Sequence, residues 1–546
     1  MRDVRRLFSS IGKAAFRIAI GLLFFGVVFT FGCSGPLDNY PENDDVTYSL
    51  TITISPDEAG SIAAEPAQDG YEAGTEVELT ASASGGYSFD CWSGDLSGTE
   101  STASITMDSD MSVTASFLKD FLAGDKWSKT YGESGRDYPD SIAAVSADKY
   151  VVSGWTDSFG SASGNLWVLT LSGTGDLLSE ETFTYCDDVN LLATADGGYL
   201  FAGTTSEGTG SSNPWVVKYD SSGNKEWNTY YEAQTTSYSY FITDVKEAAG
   251  GYVLAGREHY NLDYDAFIMK TSTDGSIVWQ KVVNNTTYDD YITGITEINS
   301  GDFIAVGNHE SNAASIYQFN ASGVLQWVKE FNGSSFDTLQ SVDSTGDGGY
   351  IVLGYSNSFS SSSGMDFWVI KFSSTHSIEW QKRYYGADGD EAFEIIAESD
   401  GTYTAAGYTG SFDTHGGTDL LLVKLAGDGS ILWQKMYGGT SYDSSPHFTK
   451  GFNNEYIIAA NTESFGVVNE DVWVLRTDNT GLPVYSSDTD GVYLGFDASL
   501  SVLNVSAAES DISAFFNEVN AQTTKKASTN SGISSAAFVR TQYPPQ

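Results

Sequence analysis

Five aspartates hold the strongest claim to chemistry in this chain, because they recur at one place in a repeating pattern. Ten residues after successive tryptophans stand Asp137, Asp289, Asp337, Asp390 and Asp443, with Asp188 near a degenerate copy and Ser237 as the exception. A second series, Asn165, Asn213, Asp265, Asp366, Asp419 and Asp471, sits two residues before the large residue of runs such as DFWVIKF. Such side chains cap turns by accepting backbone N–H bonds. They also coordinate calcium, and two carboxylates on different strands can cleave a glycosidic bond. Turn capping is the plainest expectation, since no repeat holds a complete acidic loop of the calcium type. Calcium at Asp137, Asp289, Asp337, Asp390 and Asp443 is the one cofactor the residues suggest.

Other catalytic signatures are missing. His259, His309, His376, His415 and His447 fall at different places in their repeats. No H-E-x-x-H or G-x-S-x-G pattern occurs, and no paired-cysteine spacing suits a metal. No catalytic residue is therefore assigned. Cysteine use is too low for a disulfide-stapled fold, and Cys91 and Cys186 are expected as separate thiols rather than as a bridge.

The elements that position the aspartates follow from the period, about 50 residues. Tyr150, Tyr199, Tyr252, Phe303, Tyr350, Tyr403 and Tyr456 each precede, by four residues, Gly154, Gly203, Gly256, Gly307, Gly354, Gly407 and Ala460. Trp127, Trp227, Trp279, Trp327, Trp380 and Trp433 mark a further strand, with degenerate copies near Ser179 and Val484. Each repeat offers four short runs rich in β-branched and aromatic residues, bounded by Gly, Asp and Ser. The prediction is an all-β fold, a seven-bladed β-propeller preceded by a small β-rich domain. A ring of sheets leaves open edges unless its ends share a blade. The Trp127 strand is therefore expected to complete the blade of Trp473.

The phrases DGGYLFAGTTS, DFWVIKF and GSILWQKMYGG resemble the repeats of secreted bacterial β-propellers, across residues 120–485. The turn from Gly429 to Trp433 is also distantly similar to that of pyrroloquinoline-quinone enzymes, but no cofactor residue maps from it. Upstream, residues 46–119 alternate as strands, and AGTEVELTA, GYSFDCWSGD and TMDSDMSVTASF resemble the divergent internalin B-type repeat of bacterial surface proteins. That resemblance implies a stalk or adhesion module, with Trp92 as its core anchor.

The N-terminus reads as an export signal, with Arg2, Arg5, Arg6, Lys13 and Arg17 ahead of an apolar run from Ile18 to Phe31. Gly32-Cys33 resembles the lipobox of bacterial lipoproteins, which implies cleavage after residue 32 and acylation of Cys33. Residues 33–45 form an acidic tether. Without residues 1–32 the chain keeps 22 basic and 71 acidic residues, a net of −49. That surface excludes nucleic acid as a partner and leaves acylation as the sole membrane attachment.

Residues 486–546 are rich in Ser and Ala, and Ile512, Phe515, Phe516 and Val519 follow helical spacing after Ser510. The spacing predicts a short helix over about 511–521. The expected protein is an exported, lipid-anchored, monomeric protein of a bacterial outer membrane or cell surface, whose propeller binds a protein or glycan. The alternative is a propeller-fold glycoside hydrolase or lyase using paired carboxylates.

Overall fold

The computed structural model describes residues 47–119 and 126–482, apart from short loop segments, and five strands between Tyr493 and Ala527. The leader, Cys33, the tether and the Val484 copy lie outside the described residues. No helix among the described residues is long and apolar enough to cross a membrane.

The N-terminal unit is β throughout. Leu50–Ser55 runs parallel to Met111–Lys119, which pairs antiparallel with Tyr87–Gly94. Thr75–Ala83 lies between Gly60–Glu65 and Thr102–Met107. Strict alternation gives each strand one inward face, so Val77, Leu79, Ile105, Met107, Val113 and Phe117 enclose Trp92, which is 2% exposed. The indole Nε1 of Trp92 donates to the Glu100 carbonyl at 2.9 Å, which satisfies its one polar group.

From residue 126 onward the described residues form seven antiparallel sheets of the propeller type. The first is a meander of Asp137–Ser146, Lys149–Thr156, Asn165–Ser172 and Leu177–Phe183. The seventh joins Asp443–Lys450, Tyr456–Thr462 and Asp471–Arg476 to Trp127–Tyr131, which comes from the start of the domain. Second and third strands such as Tyr350–Ser356 and Asp366–Phe372 are buried almost without a break. Both of their faces pack on neighbouring sheets, which is why these strands read as continuous apolar runs. Val253, Ala255 and Ile268 of the third sheet share a core with Ile292, Ala305 and Tyr317 of the fourth. Ile142, Val152 and Trp167 of the first sheet share another with Ile457, Val472 and Val474 of the seventh.

The tryptophan repeat has a mechanical cause. At Trp127, Trp227 and Trp380, each on the fourth strand of its sheet, the indole and a Tyr four residues later both bond the turn between the third and fourth strands of the next sheet. Trp380 Nε1 donates to the Gly427 carbonyl at 3.0 Å, and Tyr384 OH to the Gly429 carbonyl at 2.7 Å. Trp127 and Tyr131 repeat the arrangement on Gly173 and Gly175 at 2.8 and 2.5 Å. Gly429 has φ +73° and a Cβ there would stand 2.9 Å from the Trp380 ring, so this turn needs glycine. Trp227, Trp279, Trp327, Trp380 and Trp433 are half-buried clamps between sheets. The fully enclosed indoles are Trp167, Trp215, Trp368 and Trp473 of the third strands.

The predicted helix over 511–521 is corrected. Ala508–Asp511 and Asn517–Asn520 are strands, while 512–516 lie outside the described residues. The five C-terminal strands run backward round the domain, one per sheet, from Tyr493–Asp497 on the sixth to Thr523–Ala527 on the second. Each pairs with the outer edge of a fourth strand. Unpaired backbone groups along five such edges outweigh the helical spacing of a few apolar residues.

Candidate ligand site at the channel mouth

The repeated aspartates begin the innermost strands, each in a different sheet. Asp443 accepts from Thr462 Oγ1 at 2.5 Å, Ser464 Oγ at 2.7 Å and the Gly439 amide at 2.9 Å. Asp137, Asp337 and Asp390 are held alike by Thr156 and Ser158, by Ser356 and Ser358, and by Thr409 and Ser411. Burial pushes Asp443 up to about 6 against these donors. In the fourth sheet Asp290, not Asp289, takes this place, because the preceding loop carries one more residue before Asp290–Glu297 begins. Asp290 faces His309 Nδ1 at 2.6 Å, while Asp289 accepts from the Tyr264 amide at 3.1 Å. Cys186 and Tyr240 hold the equivalent positions in the second and third sheets, rather than Asp188 and Ser237. In the second series Asn165, Asn213, Asp366, Asp419 and Asp471 each begin a third strand, while Asp265 lies two residues inside Asp263–Ser272. Asp366 there pairs with Arg383, Nε to Oδ2 at 2.8 Å. No group of three His, Cys, Asp or Glu able to hold a metal occurs among the described residues. Cys91 and Cys186 form no disulfide.

What converges is a different set of residues. All seven innermost strands carry a bulge at the same level: Asp140, Asp188-Val189, Thr243, Thr293, Gln340, Phe393 and Ser445-Pro446 are its extra residues. A bulge bends the strand and re-aims its side chains, here into the space between the sheets. The repeat glycines follow from it. A Cβ on Gly354 would stand 1.9 Å from the Thr338 carbonyl, and one on Gly307 1.9 Å from that of Tyr291. Thr243 and Thr293 donate to the Ile292 and Leu339 carbonyls at 2.6 and 2.7 Å, tying neighbouring inner strands together.

The bulges of the first five sheets line a cavity of about 440 Å³ at the mouth of this channel. Above them lies a tier of cross-strand pairs: Tyr138 with Trp155, Phe241 with Arg257, Tyr291 with Asn308, Thr338 with Tyr355, and Glu391 with Tyr408. Tyr138 and Trp155 stack at 5.2 Å, and Phe336 stacks on Tyr355 at 6.1 Å. Burial first and Glu391 second raise the Tyr355 phenol, and burial with a Glu391 hydrogen bond raises Tyr408, so both stay neutral donors. Asn308 donates to Tyr291 OH at 2.9 Å, and its Oδ1 is buried without a partner. The tier combines flat rings with amide and hydroxyl groups.

Deeper in the channel a second cavity of about 410 Å³ holds Asp244, Lys246, Glu394 and His447. Lys246 Nζ lies 3.8 Å from Asp244 Oδ1. Asp244, opposed by burial, and then Asp343 and Glu394 hold the ammonium above its ordinary range. Burial raises Glu394 to about 7 and lowers His447 to about 4. Asp244 Oδ2 also accepts from the Ile295 amide at 2.8 Å, and Glu394 Oε2 from that of Phe448 at 3.1 Å. These groups lock adjacent inner strands to one another.

Sequence reasoning missed the mouth. Its signal was available in the residue directly after each repeat glycine, where Trp155, Arg257, Asn308, Tyr355 and Tyr408 interrupt otherwise aliphatic strands.

Residues 50–120 match the model of the divergent InlB B-repeat domain. No curated protein matches the chain. Among solved structures it is similar to Sqt1 from Chaetomium thermophilum, at 9% identity over 65% of this chain and 99% of that one, with a TM-score of 0.35. It is also similar to the GH32 beta-fructofuranosidase BmSUC1 of Bombyx mori, at 9% identity over 70% and 93%, with a TM-score of 0.27. A third likeness is to a tail fibre of a Staphylococcus aureus phage, at 9% identity over 70% and 98%, with a TM-score of 0.22.

Proposed function

We propose that this chain is an exported bacterial surface protein, anchored through an acylated Cys33, whose closed seven-bladed propeller binds a glycan at its channel mouth. The InlB-type match over residues 50–120 supports the surface location. Closure is supported by the pairing of Trp127–Tyr131 with Asp471–Arg476.

The observation that carries the ligand class is the composition of the mouth. Trp155, Tyr138, Phe336 and Tyr355 offer flat faces suited to sugar rings, and Asn308, Gln340 and the phenols offer the hydrogen bonds that orient a polyol. The test is a glycan panel applied to the mature chain, with and without calcium. Binding without turnover is expected, and absence of any glycan ligand would refute the reading.

One feature favours a second reading. Asp140 and Asp188, from adjacent sheets, line the same wall of the mouth, and two carboxylates across a sugar site are the parts of a glycosidase. Product formation that disappears in D140N and D188N would establish an enzyme instead.

A further inference from the structure

We propose that Arg257 receives the carboxylate of an acidic sugar, so that the ligand is a glycan carrying an isolated uronic acid; this rests on the glycan reading above. Four arginines lie among the described residues, and three are spent on the protein itself. Arg136 pairs with Glu470, Arg383 with Asp366 and Arg476 with Glu455, at 3.1, 2.5 and 2.8 Å. Arg257 has no ion pair among the described residues, in a chain with 72 acidic and 27 basic residues. Instead its guanidinium is held between rings, 5.2 Å from Phe241, 4.9 Å from Tyr264 and 5.9 Å from Tyr291. Its Nε is buried without a hydrogen-bond partner.

Leaving a half-buried cation unpaired is costly unless something else compensates it. Here the aromatic faces do so only in part and fix the plane of the group. A pre-oriented planar fork of N–H donors matches a carboxylate bidentately. Beside it, within the same cavity wall, Asn308 is 5% exposed and its Oδ1 is buried without a partner. The same cavity is lined by Asp140 and Asp188, and the whole chain has a net charge of −45. That field repels a polyanion, so a single acidic residue on an otherwise neutral glycan is the fitting ligand.

The experiment is calorimetric titration of the mature chain with oligosaccharides ending in glucuronic, galacturonic or mannuronic acid, each beside its methyl ester. The acid should bind at least tenfold tighter than its ester. R257Q should erase that difference while still binding the ester, and R257K should keep only part of it. Equal binding of acid and ester by the wild-type chain would overturn the role of Arg257 and leave the glycan reading standing; this comparison needs no variant to fold. If no sugar binds, both readings fall. Capture of a peptide through its C-terminal carboxylate, lost in R257Q, would replace the sugar by a peptide ligand.

Discussion

The indole Nε1 of Trp473 donates a 2.8 Å hydrogen bond to Ser128 Oγ, joining residues 345 positions apart. Around it, Trp127–Tyr131 pairs with Asp471–Arg476, and Lys126 forms an ion pair with Asp478. The two ends of the domain are therefore one sheet, and each depends on the other.

Deleting residues 124–132 should cost more stability than nine residues of loop, because it opens the edge of Asp471–Arg476 and takes Trp127 from its core. Trp368→Ala is the matched control: this fully enclosed side chain should cost ~3–5 kcal/mol without touching the seam. Thermal unfolding compares them. A deletion variant melting with the wild type would mean that the seam closes nothing.

Gly354→Ala should destabilise by ~1–3 kcal/mol, because the new methyl collides with the Thr338 carbonyl across the bulge. The strain would fall on Thr338 and Gln340, which line the mouth. Chemical denaturation together with ligand titration reads both effects, and a variant as stable as the wild type would show that the bulge is not rigid.

Stability should peak in acidic solution. Burial raises Glu394 and Glu258 to about 7 and Asp290 and Asp366 to about 6, against ordinary values of 4.5 and 3.8. An acid with a raised folded pKa keeps its proton where the unfolded chain has lost it. Stability therefore falls as pH rises from the ordinary value to the folded one. Two groups act at the acid end. Burial would raise Glu398, but Lys450 and Lys424 override it and hold it at about 2; its contribution is present above 4.5 and lost as pH falls toward 2. Burial lowers His447 to about 4, so stability is lost as pH falls from 6.5 toward 4. Scanning calorimetry from pH 3 to 8 should find a maximum at about pH 4, because four raised acids outnumber the two groups acting at the acid end, and E394Q should flatten the decline toward pH 7. A melting temperature that rises steadily to pH 8 would contradict this.

Removing residues 486–546 should leave the sheets folded but expose the outer edges of five fourth strands. Open edges recruit other chains. Faster amide exchange in Leu325–Asn332 and Ile378–Tyr385, with concentration-dependent association on a sizing column, is expected. Unchanged exchange at these edges would show that the C-terminal strands protect nothing.

Repetition made much of the fold readable. The spacing of Trp127, Trp227 and Trp380 marked fourth strands, and the glycines of the Gly354 type marked second strands, because one packing constraint acts at every copy. Readability stopped where a single copy departs from the rest. One extra loop residue moved the aspartate from position 289 to 290, and only strand pairing reveals that shift. Ile512 to Val519 carries helical spacing, yet strand edges far away in sequence decided the structure on either side of it. The mouth stayed hidden for the same reason, since Arg257, Asn308 and Tyr355 meet only through the packing of sheet against sheet and differ in type from copy to copy.

The central claim is that the mouth binds a glycan through its ring and amide tier. The direct measurement is titration of the glycan ligand found by the panel against the wild-type chain and the Trp155→Ala and Tyr355→Ala variants, with melting temperatures as a folding control. Loss of about 1–3 kcal/mol of binding energy per ring is predicted, in line with aromatic anchors in binding sites. Undiminished binding by both folded variants would contradict the account.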